Sequence, residues 1–291
     1  MRSIARLIDT GRRSFSFEFF PPKTAEGEAQ LWTAIRALEP YHPTFVSVTY
    51  GAGGTTRDTT VQITGRIARE TSMEPLGHLT CVGHSVADLT GILHSYAEAG
   101  VRNVLALRGD PPGGPGQPWQ VAPGGLRYAS ELVALARKAG DLCVGVAAFA
   151  LGHREAATLE DDARVLLAKQ QAGAEFAITD MFFRVEDYTA LCERAHAAGV
   201  HIPILAGIMP ISSLRQVSRM AELSGREVPA EVVARIARHE GDPVALRAAG
   251  IEVAAELCQA LLDDEVPGLH FYTLNRSRAT LEIFEHLNIT V

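Results

Sequence analysis

One carboxylate, Glu18, stands inside the most aromatic stretch of the chain, "SFSFEFFPPKT" at 14–24. Burying an unpaired carboxylate is costly, so this position needs a partner, a proton or a chemical task. Alternation along an extended segment puts Phe15, Phe17 and Phe19 on one face and Ser14, Ser16 and Glu18 on the other. With the phenylalanines packed outward, the serines and then Glu18 climb an interior toward the two prolines that end the strand. A carboxyl held there in a dry setting is expected to have a raised pKa and to serve as a general acid. An ion pair with Lys23 or an arginine is the structural alternative.

Other reactive residue types also fall where apolar runs end: Thr49, His78 with Thr80, Arg108-Gly109-Asp110, Asp180, and Thr273 with Asn275 and Arg276. "HLTC" brings His78 and Cys81 close in sequence, but on a strand they point to opposite faces, and no second cluster completes a metal site. No metal is expected. "YGAGGTTRDTT" at 50–60 lacks the spacing of a dinucleotide fingerprint, and Thr55 or Thr56 reads as a helix N-cap. "RGD" at 108–110 closes a buried strand and is not read as an adhesion tripeptide. Glu155, Asp162 and Lys169 recur every seventh residue of a helical pattern preceded by His153. That stripe is either a solvated face or one wall of a groove for an extended polar ligand. Arg276 reads as first-turn in the last helix, where a cation opposes the macrodipole; an anionic ligand or plain exposure accounts for it.

The elements that must position these groups alternate along the whole chain. Strands are predicted at 14–20, 44–49, 75–80, 102–107, 142–148, 175–179, 203–208 and 268–273. Helical patterns lie near 25–39, 57–71, 84–99, 129–139, 155–172, 186–198, 212–222 and 276–287, with further helices near 229–239 and 243–263 before the last strand. This repeat predicts a single α/β domain over 1–291, a closed (β/α)8 TIM-type barrel whose strand ends share one mouth. An open doubly wound sheet is the competing architecture, but no linker or composition shift divides the chain. Residues 111–127 hold five prolines and five glycines, so they form a loop after the fourth strand, read as a wall of that mouth.

With 291 residues, 47% hydrophobic and 21% charged, the chain has an ordinary globular composition. A net charge of -7 argues against nucleic acid as a partner, and no apolar run is long enough for a membrane span. The first residues lack the apolar core of a signal peptide. Cys81, Cys143, Cys192 and Cys258 are scattered, which suits a reduced, cytoplasmic setting.

"FEFFPPKT", "FVSVTYGAGG", "HLTC", "LRGDPPG", "ITDMFF" and "HFYTLNRS" occur in this order over essentially the whole chain. In this the sequence resembles the methylenetetrahydrofolate reductase family in its short bacterial form. The resemblance implies a (β/α)8 barrel holding FAD, reduced by NADH or NADPH and reoxidised by 5,10-methylenetetrahydrofolate in ping-pong fashion, giving 5-methyltetrahydrofolate for methionine biosynthesis. It also implies a homo-oligomer. By the same resemblance, Glu18 matches the general acid that opens the imidazolidine ring, and Asp110 the carboxylate near pterin and flavin. Thr49, His78, Arg108, Gly109, Asp110, Tyr128, Ala129, His153, Asp162 and Lys169 match FAD-contacting positions. Gln216 and Arg276, together with Asp180, match folate-contacting ones.

The chain departs from the family pattern at a few of these places. Asp180 stands where a glutamine is usual. In "FALGHREA", Ala150, Leu151 and Arg154 replace a proline, an acid and a second proline, and Met220 replaces an aromatic residue. The alternatives left by these departures are a paralogue acting on another iminium or with another redox cofactor, and a barrel that binds folate or flavin without turnover. A retained Glu18 argues against the last.

Overall fold

The computed structural model describes residues 2–289 except 11, 51–56, 112–113, 115–116 and 226. The N-cap expected at Thr55 or Thr56 lies outside the described residues. Eight parallel strands close on themselves in chain order: β1 (Ser14–Phe19), β2 (Phe45–Val48), β3 (Pro75–Thr80), β4 (Asn103–Leu107), β5 (Cys143–Ala148), β6 (Phe176–Thr179), β7 (Ile204–Ile208) and β8 (Gly268–Tyr272). The barrel closes through β8 pairing with β1, with Ser16 opposite His270 and Glu18 opposite Tyr272. The fold is the predicted TIM-type barrel, and each strand lies within a residue of its expected bounds.

A short helix, α1 (Ile4–Ile8), precedes β1 and was not anticipated. Ile4 and Ile8 pack with Phe45, Leu76, Leu105 and Phe176 inside the lower barrel, and the Ile4 N–H donates to Asn103 Oδ1 at 3.0 Å. The outer ring is α2 (Ala25–Leu38), α3 (Arg57–Glu70), α4 (Val86–Glu98), α5 (Ala129–Ala139), α6 (Leu159–Gln171), α7 (Val185–Ala197), α8 (Leu214–Ser224), α9 (Ala230–Ala237), α10 (Pro243–Asp263) and α11 (Arg278–His286). The larger core lies between strands and helices. There Phe15 and Phe17 contact Phe284 of α11 at ring separations of 5.5 and 5.8 Å, so the odd-numbered face of β1 does point outward.

Local sequence explains where several helices start. Thr24, Thr158 and Ser213 each accept a backbone N–H of the first turn, and Ser85 with Asp88 forms a capping box. Thr158 also corrects a boundary. The helix expected from 155 begins at Leu159 because the cap lies there, so Glu155 is a loop residue and leaves the Asp162–Lys169 stripe. Arg276 likewise precedes α11; its N–H donates to Thr273 O in a turn, at 3.0 Å. Lying before the helix rather than in its first turn, Arg276 does not oppose the macrodipole as expected.

Candidate active site

Alternation lifts Ser14, Ser16 and Glu18 through the barrel interior as expected, and all three are buried. Glu18 is 7% exposed at the upper end of that row. Its Oε2 lies 3.4 Å from His270 Nε2, 3.5 Å from Ser47 Oγ and 3.5 Å from His78 Nε2. His270 Nδ1 is in turn 2.8 Å from Ser16 Oγ, and its ring stacks on Phe45 with centroids 5.6 Å apart. An ionised carboxylate only accepts, so Nε2–H of His270 donates to Glu18. Among the described residues, the partners of this acid are histidines and a serine rather than Lys23 or an arginine.

These neighbours reverse the electrostatic expectation. Burial pushes the Glu18 carboxyl up, but the His270 hydrogen bond, charge on His78 and His270, and the Ser47 hydroxyl together hold it below the ordinary carboxylate value. Burial lowers His78 to about 4 against the pull of Glu18, so His78 is uncharged at neutral pH. The bonds from His270 and Ser47 therefore keep Glu18 ionised there, rather than charge on His78. The anticipated raised pKa presumed a dry, apolar interior, whereas the upper barrel is polar.

A second group surrounds the strand ends on the β4–β5 side. Arg108 makes a two-pronged ion pair with Glu155 (2.6 and 2.9 Å) and lies over Trp119, 5.2 Å from the ring centroid. Trp119 Nε1 donates to Gly109 O at 3.1 Å, so part of the Pro/Gly-rich loop is a wall of the mouth. Gly109 has φ 82°, and a Cβ there would come within 2.6 Å of Val82 Cγ1. This turn exposes Asp110, whose Oδ1 lies 3.8 Å from Arg154 Nη2. His153 packs edge-on against Phe149 at 4.9 Å, and its pKa is lowered by burial and by Arg108. Asp162 and Lys169 are buried rather than on a solvated face. Lys169 Nζ donates to Ala147 O at 2.8 Å, and burial brings its pKa down to about 8.

The remaining predicted residues are more dispersed. Thr49 is half-buried, its N–H bonded to Phe19 O. Tyr128 caps α5 from an exposed position, and Ala129 begins that helix. Gln216 turns back on the loop before α8, accepting the Ser212 N–H and donating to Pro210 O. Arg276 is exposed. Asp180 Oδ1 accepts the Ala150 N–H at 3.0 Å. Cys81 faces away from His78, with its Sγ near Tyr128 O and its pKa pushed up to about 12 by burial.

Sequence reasoning missed Ser16, Ser47 and His270 as partners of the acid. A signal existed for His270, which shares the inward alternation of β8 with Gly268 and Tyr272. Only the register, Ser16 opposite His270 and Glu18 opposite Ser47, brings them to one carboxylate.

The donor set suits an elongated anionic group. Lys169 is a buried cation, Arg108 and His153 are its neighbours, and the buried Thr80 hydroxyl at the end of β3 has no hydrogen-bond partner among the described residues. Flavin dinucleotide meets that description, with a pyrophosphate for the cations. Among the described residues, no helix is long and apolar enough to cross a membrane.

Comparison with known proteins agrees with this architecture. The sequence profile of the family described as "Methylenetetrahydrofolate reductase" matches residues 3–288. A 5,10-methylenetetrahydrofolate reductase of Pectobacterium carotovorum is 37% identical over 288 residues, covering 99% of this chain and 94% of the relative. That of Escherichia coli K12 is 37% identical over 279 residues, covering 96% and 92%. "Methylenetetrahydrofolate reductase (NADH) 1" of Arabidopsis thaliana is 34% identical, and this chain spans 50% of its length. Among solved structures, a Clostridium thermocellum protein described as binding two copies of 5-methyl-5,6,7,8-tetrahydrofolic acid superposes with a TM-score of 0.66. The two are 13% identical, with 98% and 97% of the chains covered, so that likeness speaks to the fold.

Proposed function

The chain belongs to the methylenetetrahydrofolate reductase family of oxidoreductases, and we propose that it reduces 5,10-methylenetetrahydrofolate to 5-methyltetrahydrofolate with NADH or NADPH as donor. The observation that carries this reading is the buried Glu18 carboxylate with a histidine and a serine lined up behind it. Bound FAD would supply the hydride relay that lets donor and folate react in turn. In this reading Arg108, His153 and Lys169 bind the anionic part of FAD, with Asp162 beside the lysine. Thr49, His78, Gly109, Tyr128 and Ala129 shape its bed. Gln216 and Arg276 would serve the folate, with Arg276 for its glutamate tail, and Asp110 would serve the pterin and tune the flavin.

Glu18 is charged in the free site, so its role as an acid requires it to regain a proton. Burial is already the largest influence raising its pKa, and a folate covering the mouth removes the water that still reaches the carboxylate. The carboxylate takes that proton from solvent as the folate enters, and His270 Nε2 and Ser47 Oγ keep the carboxyl in place. Glu18 passes it to a nitrogen of the imidazolidine ring, which opens to the iminium that accepts hydride.

Separating the half-reactions tests this assignment. Glu18→Gln is expected to leave reduction of the bound flavin by the nicotinamide near the wild-type rate, while folate-driven reoxidation falls by about 100-fold or more. Stopped-flow absorbance resolves the two steps, and equal losses in both would sink the role given to Glu18.

A further inference from the structure

Apart from Met220 in α8, the departures from the family pattern lie in the β5–α6 loop and at the end of β6, and two of them meet in space. Residues 149–152 form a turn closed by the Gly152 N–H on Phe149 O at 3.1 Å, with Gly152 at φ 77°. Residues 153–156 form a second turn, closed by the Ala156 N–H on His153 O at 2.8 Å. The second residues of these turns are Ala150 and Arg154, both at positions where the family resemblance leads one to expect proline. Proline suits the second position of a turn because its ring presets φ, and it brings no N–H.

Ala150 does bring an N–H, and it donates to Asp180 Oδ1 at 3.0 Å. The carbonyl of the same buried alanine accepts from Arg194 Nη2 at 3.1 Å. Its two peptide groups therefore end on side chains of opposite charge. The Asp180 N–H donates to Ala148 O at 3.0 Å, which anchors the carboxylate to the end of β5. A proline at 150 would give Asp180 no donor there, and a glutamine at 180 would be one methylene too long for this geometry.

We propose that Asp180 is a positioning residue, working as a pair with Ala150 to hold the β5–α6 loop. The hydrogen bond between them supplies the rigidity that proline would otherwise give the turn. The loop carries Phe149, against which His153 packs and over which Lys169 lies at 5.7 Å. Asp180 thus acts on the cofactor side of the site through this loop. An ionised carboxylate cannot donate a hydrogen bond, so it does not replace the amide donor that a glutamine at this position would offer a folate. The consequence for FAD rests on the proposed function; the pairing itself does not.

A double-mutant cycle tests the pairing, using Asp180→Gln, Ala150→Pro and the two combined, with Asp180→Asn as the conservative variant. Amide hydrogen exchange at Ala150 gives a readout that needs no cofactor, and fluorescence titration gives the dissociation constant of FAD. Asp180→Gln should deprotect the Ala150 amide, and each single change should weaken FAD binding by about tenfold. Asp180→Asn keeps an acceptor oxygen at the same reach and should stay within about threefold of wild type. The combined variant should recover to a similar level, far from the product of the single effects. Additive losses would overturn the pairing, as would a raised folate KM with Ala150 protection and FAD affinity both intact. If no variant binds FAD, wild type included, yet Asp180→Gln deprotects the Ala150 amide and Asp180→Asn does not, the cofactor reading fails and the positioning role stands.

Discussion

Lys169 should make flavin binding depend on pH. Its ammonium is buried under α6, with Ala147 O as acceptor at 2.8 Å, and burial lowers its pKa from 10.5 to about 8. The charge on Asp162 opposes that shift and the charge on Arg108 adds to it. The difference from the ordinary value is worth about 3 kcal/mol, the cost of keeping the charge in a site built without a full counter-ion. An anion bound there restores the lysine's affinity for its proton, so above pH 8 binding must take a proton up. The dissociation constant of FAD is therefore expected to be flat from pH 6.5 to about 8 and then to rise by up to about tenfold per pH unit. Lys169→Met should bind more weakly at pH 7 and lose the pH dependence. Quenching of flavin fluorescence on titration into apoprotein, from pH 6.5 to 9.5, reads both effects. A wild-type affinity that is constant across this range, or a methionine variant that keeps the dependence, would refute the placement of the anion beside Lys169.

Two further outcomes concern stability. Gly109→Ala meets Val82 Cγ1 at 2.6 Å and Thr80 Cβ at 2.8 Å, at a φ of 82° that alanine avoids, so urea unfolding should show a loss of about 2–4 kcal/mol. His78, at about 4 in the fold against 6.5 as an ordinary histidine, binds its proton more readily when unfolded; stability should fall by about 3 kcal/mol as pH drops from 6.5 to 4. Glu18 works in a lower window: its depressed pKa stabilises the fold above about 4.5, and that contribution is lost only as pH falls through the folded value. His78→Gln should flatten the upper part of the unfolding profile and leave the lower part in place.

The order and bounds of the strands, the helices inserted before β8 and the inward face of β1 were all legible in the sequence. These depend on periodicity and capping, which act over a few residues: alternation alone divides Phe15 and Phe17 from Ser16 and Glu18. Thr158 was legible as a cap too, yet the charged stripe running on to Glu155 masked it. The surroundings of Glu18 were not legible, because His270 lies 252 residues away and Ser47 belongs to another strand. Barrel closure and strand register decide that contact, and with it whether the acid sits among apolar or polar groups. The direction of its pKa shift followed that neighbourhood rather than its depth. For the same reason Asp180 and Ala150 read in sequence as two unrelated departures. Folding makes them one hydrogen bond, since β5 and β6 are neighbours in the barrel and their loops leave from the same rim.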